Sequence, residues 1–177
     1  MARRSTLAVL PAFALVALAG CAQQQAAAPT PPIAAPAPLT SDQNFVDRAA
    51  LGTGTEVELG RLGRTRAVSP AVRAFADRII ADHRQAHARL TRLERSIHMA
   101  AMSVAPPANQ LANLSGPQFE RAFMADQIKN HQEAIQLFQA EAQGGQDPRL
   151  RKYASDMLPM LYRNLQDAQA IAARLGG

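Results

Sequence analysis

Four polar residues, Glu56, His83, His131 and Asn164, interrupt otherwise apolar repeats in the sequence. Each lies near the middle of a stretch whose apolar residues recur at alternating steps of three and four, the pattern of a long helix packed along one face. Counted from the two short turns between these stretches, at about 1.5 Å per residue, the four positions share a similar level. We therefore expect one buried polar layer, whose side chains must bind one another, water or a metal because unpaired buried polar groups are costly.

A carboxylate and two imidazoles are ligands suited to iron, zinc or manganese, so Glu56, His83 and His131 are the candidate metal ligands of this layer. Asp82 or Asp126 would then orient them. Ferritin-like di-metal enzymes carry Glu-x-x-His pairs, and no histidine of this sequence has a glutamate three residues before it. The pattern thus argues against a catalytic di-metal centre and leaves a mononuclear site or a purely hydrogen-bonded layer that fixes helix register.

Two other groupings of soft or imidazole ligands have a simpler structural interpretation. His83 and His87 lie four residues apart, although His87 is expected to face solvent. His98, Met99 and Met102 would form a soft copper site at the end of the second helix, but methionine in such positions commonly fills core or loop. Three serines at the starts of helices are explained as caps, namely Ser41, Ser69 and Ser115. The sequence therefore identifies no catalytic residue.

The N-terminal segment has the features of an exported lipoprotein in their usual order. Arg3 and Arg4 precede an apolar run over residues 7–19, which is too short for a permanent membrane span. Leu18-Ala19-Gly20-Cys21 then resembles the lipobox of bacterial lipoproteins, in which the cysteine receives a diacylglycerol and becomes the new N-terminus. Ordinary secretory cleavage is the alternative, but it would leave an unpaired thiol in an exported protein. We therefore expect Cys21, the only cysteine, to be the site of lipid attachment.

The chain divides into three segments on composition. Residues 1–20 are the predicted lipoprotein signal peptide, and residues 21–39 form a tether rich in Ala, Pro and Gln that cannot bury a core. Residues 40–177 are the predicted four-helix bundle domain. Without the two arginines of the signal peptide the net charge of +5 falls to +3, the remaining arginines are spread along the helices, and the chain has no Trp. This composition argues against nucleic acid as a partner.

Helix start and stop signals bound four long amphipathic helices and no strand. Capping-box patterns occur at Thr40-Ser41-Asp42-Gln43 and at residues 115–118, while Ser69-Pro70 and Asp147-Pro148 begin the second and fourth helices. Gly144-Gly145 ends the third. The first helix is expected to present on one face Phe45, Ala49, Gly52, Glu56, Leu59 and Gly63. Short links within each pair and a connection of about 16 residues between the pairs predict an all-α, ferritin-like bundle of two antiparallel hairpins with one long crossover.

An ordered set of short motifs resembles a known bacterial envelope family, the domain of unknown function 4142 (DUF4142). The motifs are Phe45-Val46, Glu56-Val57-Glu58-Leu59-Gly60, Phe75-Ala76, Asp82-His83, Leu114-Ser115-Gly116, Phe119, His131 and Leu158-Pro159. The resemblance covers about residues 41–175 and implies a ferritin-like bundle, often exported or lipid-anchored, whose activity is not established. The family pattern usually has a third histidine where this chain has Asn164, so one potential metal ligand is missing.

The sequence predicts a non-enzymatic, lipid-anchored bundle that faces the periplasm and serves a binding or structural role toward an unknown protein or small-ligand partner. Ala22 after the cysteine resembles the pattern of sorting to the outer membrane, with the inner membrane as the alternative. No cofactor is expected. The alternative function is a metal-binding redox or metal-storage protein of ferritin-like ancestry, with one iron, zinc, manganese or copper ion.

Overall fold

A computed structural model of the chain describes residues 41–98, 101 and 110–176. These residues form four long helices and one short 3₁₀ helix, with no strand among them. The helices are α1 (Ser41–Arg66), α2 (Pro70–Ile97), the 3₁₀ helix (Gln110–Asn113), α3 (Gly116–Gly144) and α4 (Pro148–Gly176). The all-α prediction is confirmed, whereas the predicted signal peptide, lipid attachment site and tether lie outside the described residues. None of the described helices is long and apolar enough to cross a membrane.

The helices pack as two antiparallel hairpins, α1 with α2 and α3 with α4, and α1 also packs on α3 and α2 on α4. α3 begins beside the turn between α1 and α2, since the Glu120 carboxylate accepts hydrogen bonds from the backbone N–H groups of Val68 and Ser69. The turn between α3 and α4 lies beside the start of α1. α2 therefore ends and α3 begins at opposite ends of the bundle, as the predicted crossover requires.

Local capping decides where α2 and α4 begin. Ser69 Oγ accepts from Val72 N–H at 3.4 Å, and Asp147 Oδ1 accepts from Arg149 N–H at 2.7 Å, as predicted. The capping box predicted at Ser115 is wrong, because Ser115 lies at the N-cap position without a side-chain cap bond. Gly116, the first helical residue, has φ +55, so the chain enters α3 through a left-handed residue instead of the usual capped turn.

Two apolar clusters fill the bundle, one toward each end. The first joins the start of α1 to the end of α2 and contains Phe45, Val46, Ala49, Ala86, Leu90, Ile135, Phe138, Leu150, Tyr153, Ala154, Met157 and Leu161. The second contains Leu59, Ala67, Val72, Phe75, Ala76, Ile79, Leu111, Phe119, Phe123, Met124, Ala168 and Ile171. The sequence positions of Glu56, His83, His131 and Asn164 fall between these clusters, so the polar residues lie at mid-height.

Close approach of α1 to its neighbours depends on two glycines. A Cβ at Gly60 would lie 2.7 Å from Ile80 Cγ1, and one at Gly63 would lie 2.7 Å from Phe123 Cζ. Gly60 therefore lets α2 come near α1, and Gly63 lets α3 come near. Gly52 is an exception, because it is exposed, and the neighbouring Thr53 is buried in its place. α4 continues past Pro159, which lies inside the helix.

The two hairpins repeat the same arrangement at an interval of 78 residues. Asp42 precedes Glu120 by that interval, and each carboxylate accepts from two backbone N–H groups in the turn of the other hairpin. Arg73 and Arg151, again 78 residues apart, each donate to two carbonyl groups of their own turn. The bundle is therefore built from two related halves, and a carboxylate of each half accepts hydrogen bonds from the turn of the other.

Candidate functional site

The structure buries all four residues of the predicted polar layer, one on each helix. Their exposed fractions are 5% for Glu56, 4% for His83, 1% for His131 and 0% for Asn164. Sequence reasoning missed a fifth member, Gln127, which is fully buried on α3. The available signal was its position three residues after Met124 and four before His131, which continues the apolar repeat of α3.

The two buried histidines face each other across the bundle core. His83 Nε2 lies 3.4 Å from His131 Nε2, with the rings nearly perpendicular at 78°. His131 Nδ1 lies 2.8 Å from the backbone carbonyl oxygen of Gln127. Since that oxygen only accepts, His131 Nδ1 carries a proton, and a neutral His131 presents a lone pair at Nε2. The hydrogen bond between the rings then requires His83 to donate from Nε2, which leaves His83 Nδ1 as an acceptor.

Burial keeps His83 uncharged over the ordinary pH range. Loss of solvation and, to a smaller extent, the neighbouring His131 together lower its pKa from 6.5 to about 3. His83 therefore acts as a neutral hydrogen-bonding group in this layer.

Glu56 is held by two amide side chains. Gln127 Nε2 donates to Oε2 at 2.7 Å, and Asn130 Nδ2 donates to Oε1 at 2.9 Å. Burial raises the pKa of Glu56, while His131 and the two amide bonds act in the opposite direction. Gln127 therefore stands between Glu56 and His131, bound to the first through its side chain and to the second through its backbone.

Asn164 does not bond to the other three residues of the layer. Its Nδ2 lies 3.2 Å from Met160 Sδ on the same helix, and its Oδ1 has no hydrogen-bond partner among the described residues. Gln127 Oε1 and His83 Nδ1 are likewise buried and without a partner in that part of the chain. The layer therefore has more hydrogen-bond acceptors than donors.

The predicted metal ligands do not converge as a set of three. The described residues contain no group of three or more His, Cys, Asp or Glu placed to hold a metal ion. Asp82 and Asp126, which were expected to orient the ligands, have other roles in the structure. Asp82 accepts a hydrogen bond from Arg163 at 2.8 Å near the surface. Asp126 is a like charge that raises the pKa of Glu56. The facing nitrogens of His83 and His131 are the part of the predicted set that the structure brings together.

The other two predicted groupings are the pair His83 and His87 and the soft site at the end of α2. His87 is exposed, as expected, and its Nδ1 lies 3.1 Å from Thr53 Oγ1. His98 ends α2 in the left-handed conformation, with its backbone N–H bonded to Glu94 O. Met99 and Met102, the other members of the predicted soft site, lie outside the described residues.

A cavity of about 240 Å³ opens beside the polar layer, between α1 and α3. Glu56 and His83 lie at its buried end, and the exposed residues Arg48, Gly52 and Glu133 lie at its mouth. Its walls are mainly apolar and include Ala134, Leu137, Phe138, Met157, Met160 and Leu161. A concave apolar space that ends on a few polar groups is the usual form of a small-ligand site.

The family model described as Domain of unknown function (DUF4142) matches residues 23–171 of this sequence. The chain belongs to the DUF4142 family. No curated protein matches it.

Solved structures with the same fold share little sequence with this DUF4142 chain. A DUF305 fragment from Deinococcus radiodurans has a TM-score of 0.69 at 16% identity, over 77% of this chain and 97% of its own. CopM in the Cu(I)-bound form has a TM-score of 0.68 at 17% identity, over 78% of this chain and all of its own. A DUF305 protein from Streptomyces coelicolor, described as a secreted protein, has a TM-score of 0.67 at 16% identity, over 78% of this chain and 95% of its own. These likenesses establish the four-helix fold.

Proposed function

We propose that this DUF4142 chain is a non-enzymatic binding protein of the bacterial envelope, anchored through lipid on Cys21, that holds a small and mainly apolar ligand between α1 and α3. The observation that carries the proposal is the cavity of about 240 Å³ that leads from the surface to Glu56 and His83. Apolar walls supply affinity in such a site, and a few buried polar groups orient the ligand.

The size of the cavity limits the ligand. An engineered apolar cavity of about 150 Å³ is enough to bind benzene. The larger space here accommodates an aromatic ring with a short substituent, or an aliphatic chain of similar bulk. We therefore expect ligands of roughly ten non-hydrogen atoms.

The envelope location rests on the N-terminal sequence, in which charge, apolar run, small residues and cysteine follow one another up to Cys21. The structurally similar protein from Streptomyces coelicolor is described as secreted, which supports export of this chain. Ala22 favours the outer membrane, with the folded bundle facing the periplasm.

An NMR titration with 2-phenylethanol tests the site directly. We expect saturable shifts of backbone amide signals at Gly52, Thr53 and Ala134, which line the cavity. Amides at the far end of the bundle, such as that of Ala172, serve as the internal control and should not shift. Shifts spread over the whole surface, or no saturation, would contradict the proposal.

A second candidate function is the binding of one soft monovalent metal ion by His83 and His131. Two observations favour it. CopM has been solved in Cu(I)-, Cu(II)- and Ag-bound forms. In this chain, the His131 ring is oriented by Gln127 O, as metal-binding imidazoles are commonly oriented through their other nitrogen.

Calorimetric titration with silver(I) tests this candidate. One ion should bind per wild-type chain, the His83→Leu variant should lose that binding, and the His98→Asn variant should keep it, since Asn tolerates the left-handed backbone at position 98. Equal uptake by wild type and His83→Leu would contradict a role for the histidine pair.

A further inference from the structure

Three polar atoms of the buried layer are acceptors without a partner in the described part of the chain, and one of them belongs to His83, which lines the cavity. His83 Nδ1, Gln127 Oε1 and Asn164 Oδ1 are buried and have no hydrogen-bond partner among the described residues. Gln127 cannot present its amide nitrogen in place of Oε1 without giving up its bond to Glu56, because a carboxylate oxygen needs a donor. With a neutral His131 that donates from Nδ1 to Gln127 O, His83 Nδ1 is an acceptor as well.

Glu56, at the same end of the cavity, receives its hydrogen bonds from neutral groups. They come from the side-chain amides of Gln127 and Asn130. No Lys or Arg among the described residues bonds to it, although the nearby His131 acts electrostatically to lower its pKa, and each of its oxygens keeps a free lone pair. A buried carboxylate with no cation in direct contact is costly, and a bound cation would stabilise it.

We propose that the polar end of the ligand is an ammonium group, so that the cavity takes a small amine with an apolar body. This inference rests on the proposed ligand-binding function. The ammonium has three donors and no acceptor, which matches a site with the Glu56 carboxylate and His83 Nδ1 at its end. The apolar part of the amine contacts the walls formed by residues such as Ala134 and Leu161.

The mouth of the cavity does not oppose such a ligand. It carries one residue of each charge, Arg48 and Glu133, both exposed to solvent. Charge at exposed positions is screened by water, so selectivity comes from the buried end. A carboxylate ligand would instead place a second negative group near Glu56 and leave the acceptors unpaired.

Three probes of similar shape separate these cases: 2-phenylethylamine, 2-phenylethanol and phenylacetate, titrated calorimetrically into the purified chain. The amine should bind about tenfold to a hundredfold more tightly than the alcohol, as expected for hydrogen bonds to a charged group. Phenylacetate should bind most weakly. An alcohol that binds as tightly as the amine would overturn the proposal, whereas failure of all three probes to bind would overturn the ligand-binding function itself.

Two matched variants assign the preference to its residue. Glu56→Gln should lower the affinity for the amine to that for the alcohol, because the charge is removed while the Gln127 amide can turn to pair with the new side chain. Glu58→Gln, exposed on the same helix and outside the cavity lining, should retain the full preference. An unchanged preference in Glu56→Gln would contradict the assignment. If circular dichroism shows that Glu56→Gln does not fold, the comparison of the three probes on the wild type decides alone.

Discussion

His83 links the protonation state of the polar layer to the stability of the bundle. In the unfolded chain its imidazole takes up a proton below pH 6.5, while in the folded chain the pKa is about 3 because the ring is buried beside His131. The unfolded state therefore binds more protons between these two values. The free energy of unfolding should fall as the pH drops from about 6.5 toward 3, and it should not depend on this group above 6.5.

Replacing His83 by Leu should flatten the acid side of the stability curve. Chemical unfolding of wild type and variant at pH 8, 6 and 4 measures this, with the exposed His87→Leu as the control that keeps the wild-type slope. At pH 8 the variant should lose about 1–3 kcal/mol, because His131 Nε2 is left without its donor. An unchanged acid slope in His83→Leu would show that His83 does not govern it.

Glu141 should give stability the opposite dependence on pH. Its pKa is raised to about 7, first by burial and then by the nearby Asp42, with Arg151 opposing. The folded chain therefore binds a proton that the unfolded chain does not hold between about pH 4.5 and 7. The stability that this protonated form contributes is complete below pH 4.5 and is lost as the pH rises through 7.

The Glu141→Gln variant should therefore gain stability over the wild type at pH 8 and show no gain at pH 4. Thermal melts at the two pH values test this, and Glu133→Gln provides an exposed control on the same helix. A variant that is destabilised equally at both values would contradict the argument.

At the scale of helices and turns, two buried carboxylates hold the ends of the bundle. Asp42 accepts from Gln146 and Asp147 N–H, both at 2.7 Å, and Glu120 accepts from Val68 and Ser69 N–H. Each carboxylate belongs to one hairpin and satisfies backbone groups in the turn of the other. These bonds therefore align the two hairpins as well as their turns.

Truncation of either carboxylate should destabilise the fold. In Asp42→Ala or Glu120→Ala, two backbone donors lose their partner, so we expect a loss of about 1–3 kcal/mol or more in the free energy of unfolding. Glu58→Ala, which removes an exposed ion pair with Arg61, should stay within about 0.5 kcal/mol of wild type. Urea unfolding measures the stability of all three variants. If Asp42→Ala and Glu120→Ala were as stable as Glu58→Ala, the role of the two buried carboxylates in holding the turns would be contradicted.

The elements themselves could be predicted because their signals are local. Apolar steps of three and four located the helices, Ser69 and Asp147 marked helix starts, and link lengths gave the two hairpins. The roles of Asp42 and Glu120 could not be predicted in this way, since each acts on a turn about 50 to 100 residues away. Gln127 could not be predicted because the apolar residue beside it, Ile128, fits the repeat of α3 equally well.

The cavity could not be predicted from sequence patterns, for a different reason. It depends on where α1 and α3 separate, and therefore on the combined bulk of side chains from several helices. The burial of Glu56 and His83 followed from their places in the apolar repeats, whereas their shared access to one cavity followed from packing. The 78-residue repeat was a long-range signal that single-helix patterns do not use.

At the scale of the whole molecule, a single residue is expected to set where the bundle resides. Cys21→Ser removes the proposed acceptor for the acyl chains, so the mature chain should move from membranes to the soluble periplasmic fraction. Ala22→Asp should keep the protein on membranes but shift it toward the inner one. Cell fractionation with immunoblotting measures both, and a Cys21→Ser chain that still sediments with membranes would show that the lipoprotein assignment is wrong.

The central claim, that the space between α1 and α3 is a ligand site, is tested most directly by two glycines of one helix. Gly52 lines the cavity and Gly54 does not, and a Cβ at either position would meet nothing within 4 Å. Phenylalanine is therefore expected to be tolerated at both, but to obstruct the cavity only at position 52. Calorimetric titration with 2-phenylethylamine should give the wild-type Kd for Gly54→Phe and at least about tenfold weaker binding for Gly52→Phe. The same Kd for both variants would contradict the account.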